Sequence, residues 1–474
     1  MTPLTSGMFS DDPYALQPDA LLLPGGVMTD SPLLVVESGR VGFAGNLQAA
    51  PARYQGLKIE RINGKVIIPG FVDTHHHVTA SFVKAVSFGE PAQMWTRIWL
   101  PYEAALDPEM SYIGAKWTFV EALRGGFTTL VDSAIRPAEH TAAVLEAADE
   151  CGIRLVASTG LFDLGDFETD TPTPDLAGSI DGVLDLAEEH LDMCARYAHV
   201  EPSMACGTVQ SNSGGLITAL ARWCREHDVL FQIHANEHTG EVHRSVERHG
   251  LRPIQYLDAL DALGPKTLLA HTTLVTPVEA WRLRDTDTAV SYNPVASQWK
   301  GNAVAPALWF HEIGIRFGIG TDNTRNDAFR LLDAAEATQR IAFGVPLDDF
   351  STGGGHLWLT AATVGGADAA GLGGDVGALA DGYQADFLIL DATGPERLPS
   401  WDLAWELVRF YDRSTIAAVV VAGIPRVIGG SPVGWDLQAF LADTLPKGVD
   451  LVRRAGMLQL HQPSSPGLSG SMGR

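Results

Sequence analysis

Eight short apolar segments, most of them separated by helical stretches, constrain this chain more than any other feature. They are VIIPGFVDT, FTTLVDS, IRLVAST, AHVEPSM, LFQIHAN, TLLAHTT, TAVSYNP and RFGIGTD. Helical patterns such as YIGAKWTFVEALRGG, LITALARWCREHD and AFRLLDAAEATQRIA lie between them. Strands that alternate with helices form parallel βαβ units, and eight such units close into a barrel more readily than they spread into an open sheet. The expected fold is therefore α/β, a (β/α)8 TIM-like barrel. A barrel of this kind takes roughly 250 residues, so the 474 present leave room for one smaller domain.

The flanking sequence supplies that domain. The first 65 residues read as short strands and turns, as in LLVVESGRVGFAG, and the same texture returns in ADFLILDATG and IAAVVVAGIPRVIGG. Residues 1–65 and 376–435 are expected to build one small β-sandwich around a barrel spanning 66–375, with a C-terminal helix and flexible tail over 436–474.

Composition narrows the function. With 33 basic and 57 acidic side chains the net charge is −24, which disfavours a nucleic acid polymer or an anionic membrane as partner and leaves a small molecule. No apolar run approaches the ~20 residues a bilayer requires, and the N-terminus lacks the layout of a secretion signal. Cys151, Cys194, Cys206 and Cys224 show no CxxC spacing, so the expected compartment is a reducing cytoplasm.

Polar residues gather where the strands end. His75 and His77 follow strand one, His234 ends strand five, His271 strand six and Asp322 strand eight. The carboxyl ends of parallel barrel strands open onto one face, where active sites are built. His75 and His77 point the same way if the chain is extended there. With His234 and Asp322 they form a ligand set for zinc or another first-row metal. Such an ion lowers the pKa of bound water toward ~7. A leaving amine must also be protonated, a task for Glu237, three residues beyond His234. Asp322 is placed both to ligate and to accept the first proton, and His271 to polarise a developing oxyanion or orient Asp322.

Other histidines, His76, His227, His238 and His311, read as ordinary structural or surface residues. Glu201 and Cys206, near strand four, are candidates for bridging a second metal. The usual bridge is a carbamylated lysine, and no lysine lies between Lys116 and Lys266, which favours one metal.

These segments resemble the amidohydrolase superfamily, in particular its branch of cytosine, guanine and S-adenosylhomocysteine deaminases and triazine hydrolases. The resemblance rests on PGFVDTHHH, IHANE, LAHTTL, YNP, GIGTDN and GALADGYQADFLILD in that order over nearly the whole chain. It implies one zinc or iron ion held by His75, His77, His234 and Asp322, with Glu237 and His271 in proton transfer. It also leaves open a homo-oligomer, a dimer or larger. The expected reaction is hydrolytic deamination of an N-heterocycle by metal-activated water. The alternatives are hydrolysis of a cyclic amide, displacement of a group other than ammonia, and a metal-binding barrel without turnover.

Two positions depart from the branch: Ser203 in VEPSMAC and Tyr292 in VSYNP stand where it often has histidine. Substrate contacts are expected from these two and from Phe82, Trp95, Trp99, Trp299, Asn323 and Arg325. Aromatic rings there would stack on a planar substrate. For Trp95 and Trp99 the competing role is the buried face of a helix, and for Arg325 a surface salt bridge.

Overall fold

A computed structural model describes residues 4–84, 86, 95–134, 136, 138–164, 179–344, 348 and 353–457. Its centre is an eight-stranded parallel sheet whose strands, labelled β1 to β8, are Phe71–His76, Phe127–Asp132, Arg154–Gly160, Val200–Thr208, Leu230–Ala235, Thr267–His271, Ala289–Tyr292 and Phe317–Ile319. Each strand pairs in parallel with the next in sequence. The result is a nearly closed (β/α)8 barrel, as the alternation of strands and helices predicts.

Closure between β8 and β1 is made largely by one side chain. Buried Asp73 accepts the Thr321 N–H (2.9 Å) and the Thr321 hydroxyl (2.5 Å), while the Asp322 N–H donates to the His75 carbonyl (2.9 Å). Gly320 lets the seam close, because a Cβ there would lie 2.5 Å from Asn293 Oδ1 and 2.9 Å from the Cβ of His75. Outside the barrel several helices start at well-formed caps. Ser213 caps Gly214–Glu226, Asp327 caps Ala328–Gln339, and Thr276 with Glu279 makes a reciprocal capping box on Pro277–Asp285.

The chain ends build two further sheets. One has four strands, in the order Arg40–Asn46, Pro32–Glu37, Tyr14–Gln17 and Ile59–Arg61. The other has seven, in which Phe387–Asp391, from beyond the barrel, pairs antiparallel with Lys65–Pro69, from before it. Apolar faces of both sheets, with Leu16, Leu34, Ile67, Phe387 and Val420, share one core. An ion pair buried at both ends ties this domain to the barrel: Arg154, the first residue of β3, donates to both oxygens of Asp386 (2.9 and 3.3 Å).

The C-terminal helix Leu437–Arg454 lies against Pro108–Arg124, where the Trp117 indole donates to Thr444 Oγ1 (2.7 Å). The tail residues 458–474 and the side chain of Trp95 lie outside the described residues. Among the described residues no helix is long and apolar enough to cross a membrane.

Candidate metal centre

Strand parity separates the three consecutive histidines. His75 and His77 turn toward one point, and His76 turns away to meet Asn326 Oδ1 at 2.7 Å. His234, from the end of β5, joins the first two, and the ligating nitrogens of all three lie within 4.8 Å of one another. Asp322 approaches from the far side of the barrel seam, its Oδ1 3.5 Å from His75 Nε2 and 3.3 Å from His77 Nε2. His271, at the end of β6, forms a second such group with His75 and Asp322.

Several of these residues adopt left-handed backbone, namely Asn236 (φ 55°), His271 (φ 71°), Asp322 (φ 52°) and Asn323 (φ 54°). Non-glycine residues in this region cost on the order of 1–3 kcal/mol each and persist where the surroundings impose them. Strand ends that must turn their side chains inward supply that constraint here.

Hydrogen bonds fix the imidazole tautomers. His77 Nδ1 meets the Ser133 carbonyl (2.6 Å) and His234 Nδ1 the Gly207 carbonyl (2.8 Å). A carbonyl only accepts, so each Nδ1 carries hydrogen, and in the neutral ring each Nε2 presents a lone pair to the cluster. His271 is the reverse. The Asn293 amide donates to its Nδ1 (3.2 Å), an orientation supported by the Ser291 hydroxyl donating to Asn293 Oδ1 (2.9 Å). Its Nε2 therefore carries the hydrogen and faces Glu237 Oε1 (3.8 Å) and Asp322 Oδ2 (4.0 Å). A ring held in this tautomer can donate a hydrogen bond through Nε2 and offers no lone pair there.

Burial lowers the pKa of His75 and His234 to about 3 and that of His271 to about 4. All three are neutral at physiological pH. For His77 burial acts in the same direction, but the adjacent Asp322 outweighs it and raises the pKa. Burial also opposes ionisation of Asp322 and Glu237. Lys300 outweighs it at Asp322, and His271 with Lys300 at Glu237, holding both well below the ordinary carboxylate range. The donor set suits a divalent cation. Among the described residues buried His75 Nε2 has no hydrogen-bond partner, neutral imidazoles stand beside one carboxylate, and zinc takes that combination.

Lys300 gave no signal in the sequence. Its ammonium donates to Asp322 Oδ2 (2.6 Å) and to Glu237 Oε1 (3.0 Å), and the Asn302 amide reaches the same Oε1 (3.0 Å). Glu241 and Thr273 were equally inconspicuous. They hold the bend that carries Glu237, Glu241 Oε2 accepting its N–H (2.7 Å) and the Thr273 hydroxyl donating to its carbonyl (2.6 Å).

The expected substrate residues are placed less uniformly. Trp99 is buried with its ring 6.5 Å from that of His77. Asn323 is buried, and among the described residues neither of its side-chain polar atoms has a hydrogen-bond partner. Trp299 and Arg325 are exposed. Ser203 donates to the Ala157 carbonyl (3.0 Å) and accepts from Gln232 (2.8 Å). Tyr292 packs toward Trp358 and donates to the Ala335 carbonyl (3.2 Å). Phe82 lies on Trp117, 5.1 Å between rings. Near strand four, Glu201 is exposed at the opposite end of the strand, and Cys206 is a buried thiol within the apolar core.

A profile of the amidohydrolase family matches residues 66–425. The chain belongs to the amidohydrolase family. This amidohydrolase is 30% identical to the 5'-deoxyadenosine deaminase of Methanothermobacter thermautotrophicus over 349 residues, 71% of this chain and 76% of that protein. Among solved structures it resembles an adenosine deaminase from Xanthomonas campestris with bound zinc, with a TM-score of 0.83, 22% identity, and coverage of 93% of this chain and 98% of that one. It also resembles an atrazine chlorohydrolase from Arthrobacter aurescens complexed with zinc, with a TM-score of 0.82, 20% identity, and coverage of 92% and 99%.

Proposed function

We propose that this amidohydrolase deaminates an N-heterocyclic compound, with one divalent metal, zinc, held by His75, His77, His234 and Asp322. The reading is carried by one juxtaposition: the imidazoles of His75, His77 and His234 cluster, and the Asp322 carboxylate lies against the first two, beside Glu237 and a His271 whose Nε2 carries hydrogen. A zinc ion there would allow water to ionise near pH 7.

The chain's own groups do the rest. Asp322 takes the proton of the attacking water, and His271 Nε2–H donates to the negative charge that develops on the substrate. Glu237, a carboxylate at rest, takes the water's second proton as the added hydroxyl becomes a carbonyl and hands it to the departing amine, which leaves as ammonia, while the proton taken by Asp322 neutralises the ring. Trp99, beside His77, supplies a flat apolar surface for a planar ring. The 5'-deoxyadenosine deaminase supports an aminated purine as substrate. The atrazine chlorohydrolase favours a second reading, in which the same site displaces chloride from a ring carbon. The four cysteines, all buried free thiols, support a reducing cytoplasm as the compartment.

The test is metal analysis of the purified protein, then ammonia and chloride release across aminated pyrimidines, purines, pterins and halogenated triazines. One zinc per chain and ammonia release are expected, lost on chelation and restored by zinc. E237Q should abolish turnover while leaving metal content nearly intact, and an unchanged rate would remove this mechanism.

A further inference from the structure

The turn that follows β7 and its short helix Pro294–Lys300 reaches back over the metal centre. Gly301 makes the reversal, with φ 69° and open space where a side chain would stand, so the backbone conformation selects glycine there. The two residues flanking it, Lys300 and Asn302, both donate to Glu237 Oε1 at 3.0 Å. The Nε2–H of His271 faces the same oxygen at 3.8 Å. Lys300 also donates to Asp322 Oδ2 at 2.6 Å, which leaves Asp322 Oδ1 toward the imidazole cluster.

The terminal torsion of a glutamate is broad, with no staggered wells to fix it. Among the described residues, two strong donors on a single oxygen set that torsion and leave Oε2 as the oxygen free to face a leaving group. One ammonium spanning both carboxylates further fixes the distance between the group that takes a proton and the group that gives one.

We propose that Lys300 and Asn302 are positioning residues for Glu237, fixing its Oε1 so that Oε2 delivers the proton to the departing amine. The inference rests on the reading of Glu237 as the proton-transfer group. A group displaced by about 1 Å can cost on the order of 100-fold in rate with little change in binding.

The experiment uses zinc-loaded K300M, N302L, K300R and E237Q, assayed with the panel compound that releases ammonia fastest. K300M and N302L should each lower kcat by about 10- to 100-fold, with KM changed by less than about threefold and zinc per chain unchanged. K300R, which keeps a cationic donor, should recover part of the loss. A crystal structure of the zinc-loaded protein should show both donors on one Glu237 oxygen, a readout independent of activity and of how the variants fold. Wild-type kcat in K300M and N302L beside an inactive E237Q overturns this inference alone, as does a crystal structure with both donors away from Glu237. Turnover retained in E237Q overturns the reading of Glu237 and this inference with it.

Discussion

The ion pair between Arg154 and Asp386 should be among the most consequential contacts outside the metal centre, and its strength can be worked from its surroundings. Both side chains are almost fully buried, at 4% and 1% exposure, and Asp386 Oδ1 also accepts the Ala422 N–H at 2.7 Å. Asp386→Ala strands a buried guanidinium, a loss of about 3–5 kcal/mol, and orphans an amide at about 1 kcal/mol more. A total near 4–6 kcal/mol follows. Arg154→Met added to Asp386→Ala removes the stranded charge, so the double variant should regain about 3 kcal/mol. Urea unfolding of the zinc-loaded proteins, followed by tryptophan fluorescence, measures all three differences. An Asp386→Ala variant within about 1 kcal/mol of wild type, or a double variant less stable than the single, would refute the reasoning.

Two further outcomes follow from buried groups near the site and the C-terminus. Burial pushes the Glu241 carboxyl up to about 8 from its ordinary 4.5, so the folded protein holds a proton that the unfolded chain has released. Wild type should therefore lose stability relative to E241Q as pH rises from about 4.5 to about 8, at up to about 1.4 kcal/mol per unit. Thermal melts of the two proteins across that range read the difference, and parallel curves would contradict the assignment. On the C-terminal helix, a Cβ at Gly448 would fall 2.3 Å from the ring of Phe82. G448A should destabilise by about 1–3 kcal/mol and Phe82→Ala should relieve part of that strain, whereas an unchanged melting temperature in G448A would show that the helix is not docked there.

Much of the barrel was legible because its signal is local. Each strand is a short apolar run, and the polar residue that ends it stands where the run stops, which is how His234, His271 and Asp322 declare themselves. His75 and His77 were separable from His76 by the two-residue period of a strand. The substrate-facing residues were harder, because sequence position does not reveal which side of a strand end a ring takes. Tyr292 stands where the branch often has a histidine, yet its ring goes outward among the helices to Trp358. Phe82 is committed to Trp117 and the C-terminal helix, a partner more than 300 residues away. Lys300 could not be read at all. A lysine at the end of a short helix is ordinarily a solvated residue, and only the left-handed turn at Gly301 carries the chain back over Glu237 and Asp322.

The stitch between Asp73 and Thr321 joins the first-made and last-made staves of the barrel, and the proposed cation site straddles it. A ribosome must therefore complete nearly the entire barrel before His75 and His77 can meet Asp322. Until then the nascent chain offers a passing cation only a partial grip, so secure capture of the metal would report that the fold has been finished.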